Sequence, residues 1–546
     1  MFGAGGGTNS YREVEETDLV VLWGSNAREA HPIFFHHVIK GLRRGTRLVV
    51  VDPRRTPTAE WADEWLPVHV GADIALANAF AHVILDEHLE NRAFIERATV
   101  GFAEFAAHVS SPACSPEATE AITGVPAAQL RKVARAYATA DRAMICWTLG
   151  ITEHHDAVDN VLSLINLALT AGQVGRWGAG LNPLRGQNNV QGGGDMGALP
   201  HKLAGFQDVG DAAVRARFDA TWKTTIPPQN GWNLTEMFLA MERKELRGLL
   251  VFGENPAQSE ANAGHTRELL SDLDILVVQD LFLTRTAELA DVVLPGSASW
   301  CETDGTVTNS ERRVQRVRKA VSPPAGARDD FWILSELGRR MGHDLGDTSP
   351  EALWNELRTL SPMHRGMSWA RIEQLGGIQW PCPDEQSEGA PFLHGRLWKD
   401  PVEGRRAPFT VTRHEGPLEH VSAEFPFRLT TGRRLYAYNT HVQTQHFTSP
   451  LHRGETVDMF PADAAALGLV DGERVRVTSP RGSVELPVQL DPNLRPGLVF
   501  MTFHFLQDAD ANTLTNDAFD PKSGTAEFKA ASVRIEKLTE TAAAEE

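Results

Sequence analysis

The sequence predicts an α/β fold of two pseudo-symmetric Rossmann-like halves, closed by a smaller β-rich C-terminal domain or barrel. Three observations lead there. A strand–loop–helix–strand pattern opens the chain, the same pattern returns about 229 residues later, and from about Arg405 the segments shorten and alternate. At roughly ~150 residues per domain, 546 residues suit three or four domains.

The first element is DLVVLWG at Asp18–Gly24, a short Val/Leu run ending in Gly, which reads as a buried parallel strand. After the loop SNAREAHP, Ile33–Gly45 has helical spacing and a Gly stop, and TRLVVVDP supplies the next strand. Strand, helix and strand make a right-handed βαβ unit. In the second copy LRGLLVFGENPAQS (Leu246–Ser259) leads through a helical stretch to DILVVQD (Asp274–Asp280). DPRRTPTAEWADEWLP from Asp52 and DLFLTRTAELADVVLP from Asp280 share nine identities in sixteen ungapped positions. Asn26 precedes Asp52 by 26 residues and Asn255 precedes Asp280 by 25. Apolar strand positions converge easily, whereas Thr, Glu, Asp and Pro at fixed offsets do not. Ligands of open α/β sheets sit beyond the carboxyl ends of strands, so both Asn loops and both Asp loops mark two pseudo-equivalent nucleotide sites. Neither loop is G-x-G-x-x-G, so this is not the common NAD fingerprint. In the third region ERVRVTSPRGSVELPV reads as a hairpin, and Ala370–Arg406, rich in Pro, Gly and charge, reads as a connector.

Composition excludes several classes. With 53 basic and 71 acidic residues the formal charge is −18, which disfavours a general nucleic-acid binder. Apolar residues make up 42%, enough for a sizeable core. Four cysteines, none in a C-x-x-C pair, exclude a disulfide scaffold and an iron–sulfur site built by this stretch alone. No apolar run is long enough for a membrane span and the first residues do not form a secretory signal, so a reducing, cytoplasmic setting is expected.

The strongest chemical segment is GLNPLRGQNNVQGGGDMGALP at Gly180–Pro200. Such a Gly- and amide-rich stretch brings backbone close to a ligand. Arg185 offers a permanently charged fork for a small carboxylate, and Gln187, Asn188, Asn189 and Gln191 can orient neutral polar edges. Other candidates have plain alternatives. Arg28 and His31 share a loop, and His36 and His37 are adjacent on a helix and so diverge. His154-His155-Asp156 can line a site or not. Cys301-Glu302 favours a buried thiol over a nucleophile. Arg312-Arg313 with Asn309 and Gln315 is a phosphate contact or a solvated face. TGRRLYAYNTHVQTQH (Thr431–His446) is a ligand-facing or an ordinary loop.

LNPLRGQNNVQGGGDMGALP, VVLWGSNAREAHPI, VVVDPRRT, VFGENPAQSE, ADVVLPGSASWCETDGTVTNSERRVQ, TGRRL and NTLTND-x-FDP together carry a family resemblance. The chain resembles the molybdopterin-containing oxidoreductases, and among them the catalytic subunit of metal-dependent formate dehydrogenases, along essentially its whole length. The resemblance implies two molybdopterin guanine dinucleotides around one molybdenum or tungsten atom. It divides the chain into two dinucleotide domains, 1–188 and 189–405, and a β-barrel cap of the double-psi type, 406–546. By motif position Asn26, Asp52, Arg54, Gly71 and Asp73 would hold one dinucleotide, and Gly253, Asn255, Gln279, Asp280 and Thr284 the other. Gly432, Arg433, Asn512 and Lys529 would close over the pterins. Arg185 would anchor formate, with Gln187 beside it, and electrons would leave through iron–sulfur clusters in electron-transfer subunits. The family's C-x-x-C-x-x-x-C domain, and its Cys or selenocysteine metal ligand followed by His, have no match here, so no metal ligand is assigned to this chain. Two explanations stand: a gene start set too late, as an in-frame selenocysteine codon read as stop would produce, or a split or degenerate protein. The first is the expectation, and DNA upstream of Met1 would then encode that domain and that ligand. A catalytically inactive cofactor-binding scaffold and a sister enzyme such as a nitrate reductase are the alternatives.

Overall fold

The computed structural model describes residues 2–435, 437, 454–505 and 509–538. The first five-stranded sheet is wholly parallel. Its strands are β1 (Leu19–Trp23), β2 (Arg47–Val51), β3 (Glu64–Leu66), β4 (Ala143–Trp147) and β5 (Gly180–Pro183), in the order β3-β2-β1-β4-β5. Every side chain of β1 and β4 is buried, as a strand covered on both faces requires. Helix α1 (Pro32–Leu42) starts on a proline at its first position and packs Phe34, Phe35 and Val38 on one face. The other face is covered by α2 (Asp73–Asp86), α3 (Ala127–Thr139) and α4 (Ala157–Ala171). The sequence of α2, DIALANAFAHVILD, is apolar almost all round, and the helix is buried accordingly. A short helix, α5 (Val190–Asp195), follows β5.

The repeat builds a second parallel sheet of three strands, β6 (Gly248–Phe252), β7 (Ile275–Asp280) and β8 (Val292–Pro295), in the order β8-β7-β6. Helix α6 (Ala263–Ser271) lies between β6 and β7 and joins one face of their core through Leu270. A small sheet of β9 (Gly305–Thr308), β10 (Arg313–Val317) and β11 (Ile378–Gln379) follows. The C-terminal region is a closed six-stranded barrel. Its strands are β12 (Phe427–Gly432), β13 (Val457–Met459), β14 (Arg474–Thr478), β15 (Ser483–Leu490), β16 (Leu498–Thr502) and β17 (Ala531–Lys537). β14 and β15 are the expected hairpin, closed by the Ser479 N–H on Gly482 O at 2.9 Å.

Two expectations need correction. The stretch read as a connector packs into a core: Trp380, Cys382, Leu393 and Leu397 are buried. The cause is Arg312, read as a phosphate contact or a solvated cation. It is fully buried and donates to the carbonyls of Gly7, Trp380, Ala390 and Pro391, so its charge is spent on backbone. Residues 407–419, within the third stretch of the sequence-based division, run along the first sheet's helices, where Asn78 and Asn166 donate to Thr412 O and Thr410 O. The barrel strands begin at Phe427.

Candidate functional site

The two repeat loops are built from matching hydrogen bonds. Gly24 and Gly253 turn the chain at φ +56 and +58, which favours glycine, and their N–H groups donate to Val51 O and Gln279 O at 2.8 Å each. The Thr58 hydroxyl donates to Asn26 Oδ1 at 2.7 Å, and Thr286 to Asn255 Oδ1 at 2.7 Å. Each hydroxyl also accepts a backbone N–H two residues past the asparagine, from Arg28 at 2.9 Å and Ala257 at 3.0 Å. Asp63 accepts the Leu48 N–H and Asp291 the Leu276 N–H, at 2.8 and 2.7 Å. Much of the shared motif thus builds the loops, leaving Asp52 and Asp280 at the strand ends. Asp52 is buried; desolvation raises its pKa against the opposing charge of Arg54, whose N–H it accepts at 2.9 Å. Asp280 is half-buried and raised by desolvation too, while accepting the Leu281 N–H at 2.6 Å.

The first loop set and the barrel line one cleft. Asn26, Asp52, Arg54, Gly71, Asp73, Gly432, Arg433 and Lys529, eight of the sequence-derived site residues, all line it. Arg54 lies over the Phe500 ring at 3.6 Å. Gly71 has φ +78, and a Cβ there would meet Pro417 at 2.8 Å, so the chain turns tightly beneath residues 407–419. Asp73 opens α2 and accepts the Trp23 indole N–H at 2.7 Å; burial pushes its pKa up to about 6, with the charge of His154 opposing. His69, Leu149 and Phe503 line the cleft as well, and sequence reasoning had no signal for them.

The second set stands at the carboxyl ends of β6 and β7, outside this cleft. Gln279 is buried and donates to Asp330 Oδ1 at 2.8 Å, and Thr284 caps the turn after it by accepting the Ala287 N–H at 3.2 Å. Asn512, from the barrel region, donates to Gln258 O at 2.9 Å, three residues beyond Asn255. Glu153 links the two sets. It pairs with Lys529 Nζ at 2.6 Å, and its charge helps hold Glu260 up at about 8, after burial and the charge of Glu254.

Arg185 sits at the cleft rim, between the lining residues Leu184 and Gly186. Its N–H donates to Ser310 Oγ at 2.9 Å and its Nη2 to Gly5 O at 3.1 Å, while its buried Nε has no partner. Burial pushes the guanidinium pKa down, opposed by Asp195, and the group stays charged. Gln187 is exposed and, like Arg185 itself, is not among the residues that line the cleft. The amide at the anchor is Gln191, which donates to Gly5 O at 3.0 Å and to Asp195 Oδ1 at 2.9 Å. Asp195 also accepts the Trp380 indole N–H at 2.7 Å, and burial raises it to about 7. His31 Nε2 lies 2.6 Å from Arg185 O, so Nε2 carries the proton; burial holds the ring neutral, and Nδ1 is buried without a partner.

The remaining candidates divide. His155 Nδ1 is 3.1 Å and His154 Nδ1 3.6 Å from Glu527 Oε1 of the C-terminal region, and all three residues are buried. Burial alone would raise Glu527, but the two histidines outweigh it and hold the carboxyl at about 2. Cys301 is half-buried, not the enclosed thiol expected, because its turn lies at the surface beside exposed Trp300. Residue 436 and residues 438–446 of the Thr431–His446 candidate lie outside the described residues. Among the described residues no three His, Cys, Asp or Glu side chains are grouped to hold a metal ion, and no helix is long and apolar enough to cross a membrane.

The cleft's chemistry fits a phosphate-bearing dinucleotide: Arg54, Arg433 and Lys529 supply cations, buried Asp52 and Asp73 offer acceptors of the kind a base edge needs, and His31 Nδ1 has no partner, nor has Arg185 Nε nearby. Comparison with known proteins agrees. The molybdopterin oxidoreductase family matches residues 3–340, and the molydopterin dinucleotide binding domain matches residues 427–532. The chain is 40% identical over 542 residues to F420-dependent formate dehydrogenase 2 subunit alpha of Methanococcus maripaludis, covering 98% of this chain and 79% of that one. It is 36% identical over 550 residues to formate dehydrogenase H of Escherichia coli, covering 100% of this chain and 76% of that one. Among solved structures, acetylene hydratase from Pelobacter acetylenicus superposes with a TM-score of 0.76 at 20% identity, over 98% of this chain and 80% of that one, a likeness of fold.

Proposed function

The chain belongs to the molybdopterin oxidoreductase family, and on that premise we propose that it is the catalytic chain of a formate dehydrogenase, oxidising formate to carbon dioxide. In this reading it holds two molybdopterin guanine dinucleotides, one on each repeat loop set, around molybdenum or tungsten. The electrons pass to iron–sulfur centres outside the described residues or in partner subunits. The observation that carries the reading is Arg185, a desolvated guanidinium with an unpartnered Nε, braced on Gly5 O at the rim of the dinucleotide cleft.

When bound, the metal–pterin group supplies the two-electron chemistry. This chain's residues supply position and charge. Asn26, Asp52, Arg54, Gly71 and Asp73 would hold the first dinucleotide, with Gly432, Arg433 and Lys529 over it. Gly253, Asn255, Gln279, Asp280 and Thr284 would hold the second, with Asn512 tying their loop to the barrel. Arg185 would take the formate carboxylate in a charge-assisted fork and keep it anionic. Neutral His31 offers Nδ1 as acceptor for the proton released on oxidation. Gln187 would stand beside Arg185 at the substrate.

The test is formate-dependent dye reduction by the assembled holoenzyme, with nucleotide analysis. Two guanine nucleotides per chain and activity reduced on the order of 10²-fold in Arg185→Ala, with the nucleotides retained, support the reading. Cofactor-loaded protein that turns over nitrate and not formate, or loaded protein that turns over neither, would sink it in favour of a sister enzyme or a scaffold.

A further inference from the structure

Behind the cleft rim Arg185 is tied to a buried acid through one amide. Its Nη2 donates to Gly5 O at 3.1 Å, and the same oxygen takes Gln191 Nε2 at 3.0 Å. That amide nitrogen also reaches Asp195 Oδ1 at 2.9 Å. Gln191 Oε1 is buried without a partner, so the amide is oriented by the two acceptors of its nitrogen, and Asp195 is one of them. Asp195 is itself held at both oxygens, since Oδ2 accepts the Trp380 indole N–H at 2.7 Å, and α5 sets it one turn beyond Gln191 on the same face. Guanidinium and carboxylate are thus opposite charges three hydrogen bonds apart. Gln191 and Asp195 lie out of water, 3% and 1% exposed. Among the described residues the charges that act on Asp195 are Arg185 and Arg312, both cations. Residues 5–7, Trp380 and Phe206 add no charge, and Lys202, 4.7 Å from the centre of the Phe206 ring, is paired with Asp208.

We infer that Asp195 is a positioning residue for the anion held by Arg185: through Gln191 and Gly5 O it fixes where the guanidinium stands, and its charge sets how firmly that fork holds a carboxylate. The inference rests on the reading of Arg185 as the formate anchor. Ionised Asp195 answers part of the guanidinium charge and so competes with formate for it. Protonation removes the competitor, while the remaining lone pairs still accept the Gln191 and Trp380 N–H groups. At an effective dielectric of about 20, charges this far apart change a binding equilibrium on the order of tenfold. Burial raises Asp195 to about 7, so both of its forms are present in the neutral range, whereas His31, which burial lowers, changes charge at lower pH. Formate is therefore held more tightly below about pH 7 than above it. By reciprocity, bound formate raises the pH at which Asp195 ionises.

Trp380 reports on Asp195 directly. In the full chain carrying isotope-labelled tryptophan, the Trp380 indole N–H resonance, assigned by its loss in Trp380→Phe, should titrate with a midpoint at about pH 7. Formate should move that midpoint upward, an equal concentration of chloride should not, and Arg185→Ala should abolish the move. In the assembled holoenzyme the KM for formate should rise about tenfold between about pH 6 and about pH 8. Asp195→Asn keeps an acceptor oxygen for Gln191 and removes the charge, so its KM should stay at the low-pH value throughout, the change falling on KM rather than on kcat. Asp195→Glu should restore the pH dependence. A midpoint that formate leaves unmoved overturns the inference, as does a pH-dependent KM that persists in Asp195→Asn. A midpoint that formate moves, with a loaded enzyme that leaves formate unoxidised, keeps the inference and sinks the dehydrogenase reading.

Discussion

Around Asn26 and around Asn255 the chain repeats the hydrogen bonds that shape the loop, yet the sheets beneath those loops differ in what covers them. β1 is buried along its whole length between two layers of helices, whereas among the described residues β6 is an edge with one face open. The difference separates two kinds of information in one motif. Thr58 and Thr286, Asp63 and Asp291, and the two turn glycines encode the shape of a loop at a strand's end. They say nothing of the shell around the sheet, which the first unit draws from α2, α3 and α4 and the second lacks among the described residues. Attachment to the barrel differs as well. His154, His155 and Glu153 hold the first unit through Glu527 and Lys529, whereas the second is held by Asn512 on Gln258 O, Asn262 on the Asp517 carboxylate and the Arg267–Asp510 pair at 3.6 Å.

The sharpest way to break this comparison is native-state hydrogen exchange on the chain by itself. β1 should exchange through global unfolding alone. β6, open on one side, should exchange through local opening that costs at least about 3 kcal/mol less. Equal protection of the two strands would show that the open face has no energetic consequence.

Next in size are the loop threonines. Thr58→Val and Thr286→Val keep volume but remove a hydroxyl that both donates and accepts, stranding an asparagine oxygen and a backbone N–H. Each should cost about 2 kcal/mol. In urea titrations followed by exchange, Thr58→Val should lower the main unfolding transition, and Thr286→Val the local opening of β6. A cost confined to one copy would mean that the matching bonds are not equivalent.

The histidine attachment of the first unit to the C-terminal region gives a pH signature of its own. His155, through its bond to Glu527, and His154, where Glu527 and Asp73 outweigh burial, are raised above the usual histidine value. Their contribution is complete below about pH 6.5 and is lost as pH rises through the raised values. Glu527, held at about 2, contributes above its unfolded value near pH 4.5 and loses that contribution as pH falls toward 2. Protection of β17 should therefore be greatest between about pH 4.5 and 6.5 and decline above. Glu527→Gln should flatten the profile, whereas Asn512→Ala should lower it by about 1 kcal/mol at every pH. A profile that keeps its shape in Glu527→Gln would remove the ionic account of the first unit's attachment.

What was legible in the sequence follows from distance along the chain. The repeat, its strands and the Asn and Asp loops were legible because each unit is local and its polar positions recur at fixed offsets. Arg185 was a candidate because the glycines and amides around it follow no regular period. Glu527 was not, since it meets His155 across 372 residues. Neither was Arg312, whose four carbonyl partners gather from Gly7 and from the stretch read as a connector. Gln187 and Gln191 were both legible as amides near Arg185; the bond from Gln191 to Asp195, one helical turn on, was not.

The smallest effect is the most exacting. Asp63 and Asp291 sit at the surface, each accepting one strand N–H. A carboxylate in such a place exchanges a bond to water for a bond to backbone, so Asp63→Ala and Asp291→Ala should each cost only about 1 kcal/mol. The bond lengths agree to 0.1 Å, so the two costs should agree as well if each is read from its own sheet's exchange. Should Asp291→Ala cost the more, the shell of the first sheet buffers loop defects. An equal cost would place these loops apart from the layers around them, each a device of the strand end alone.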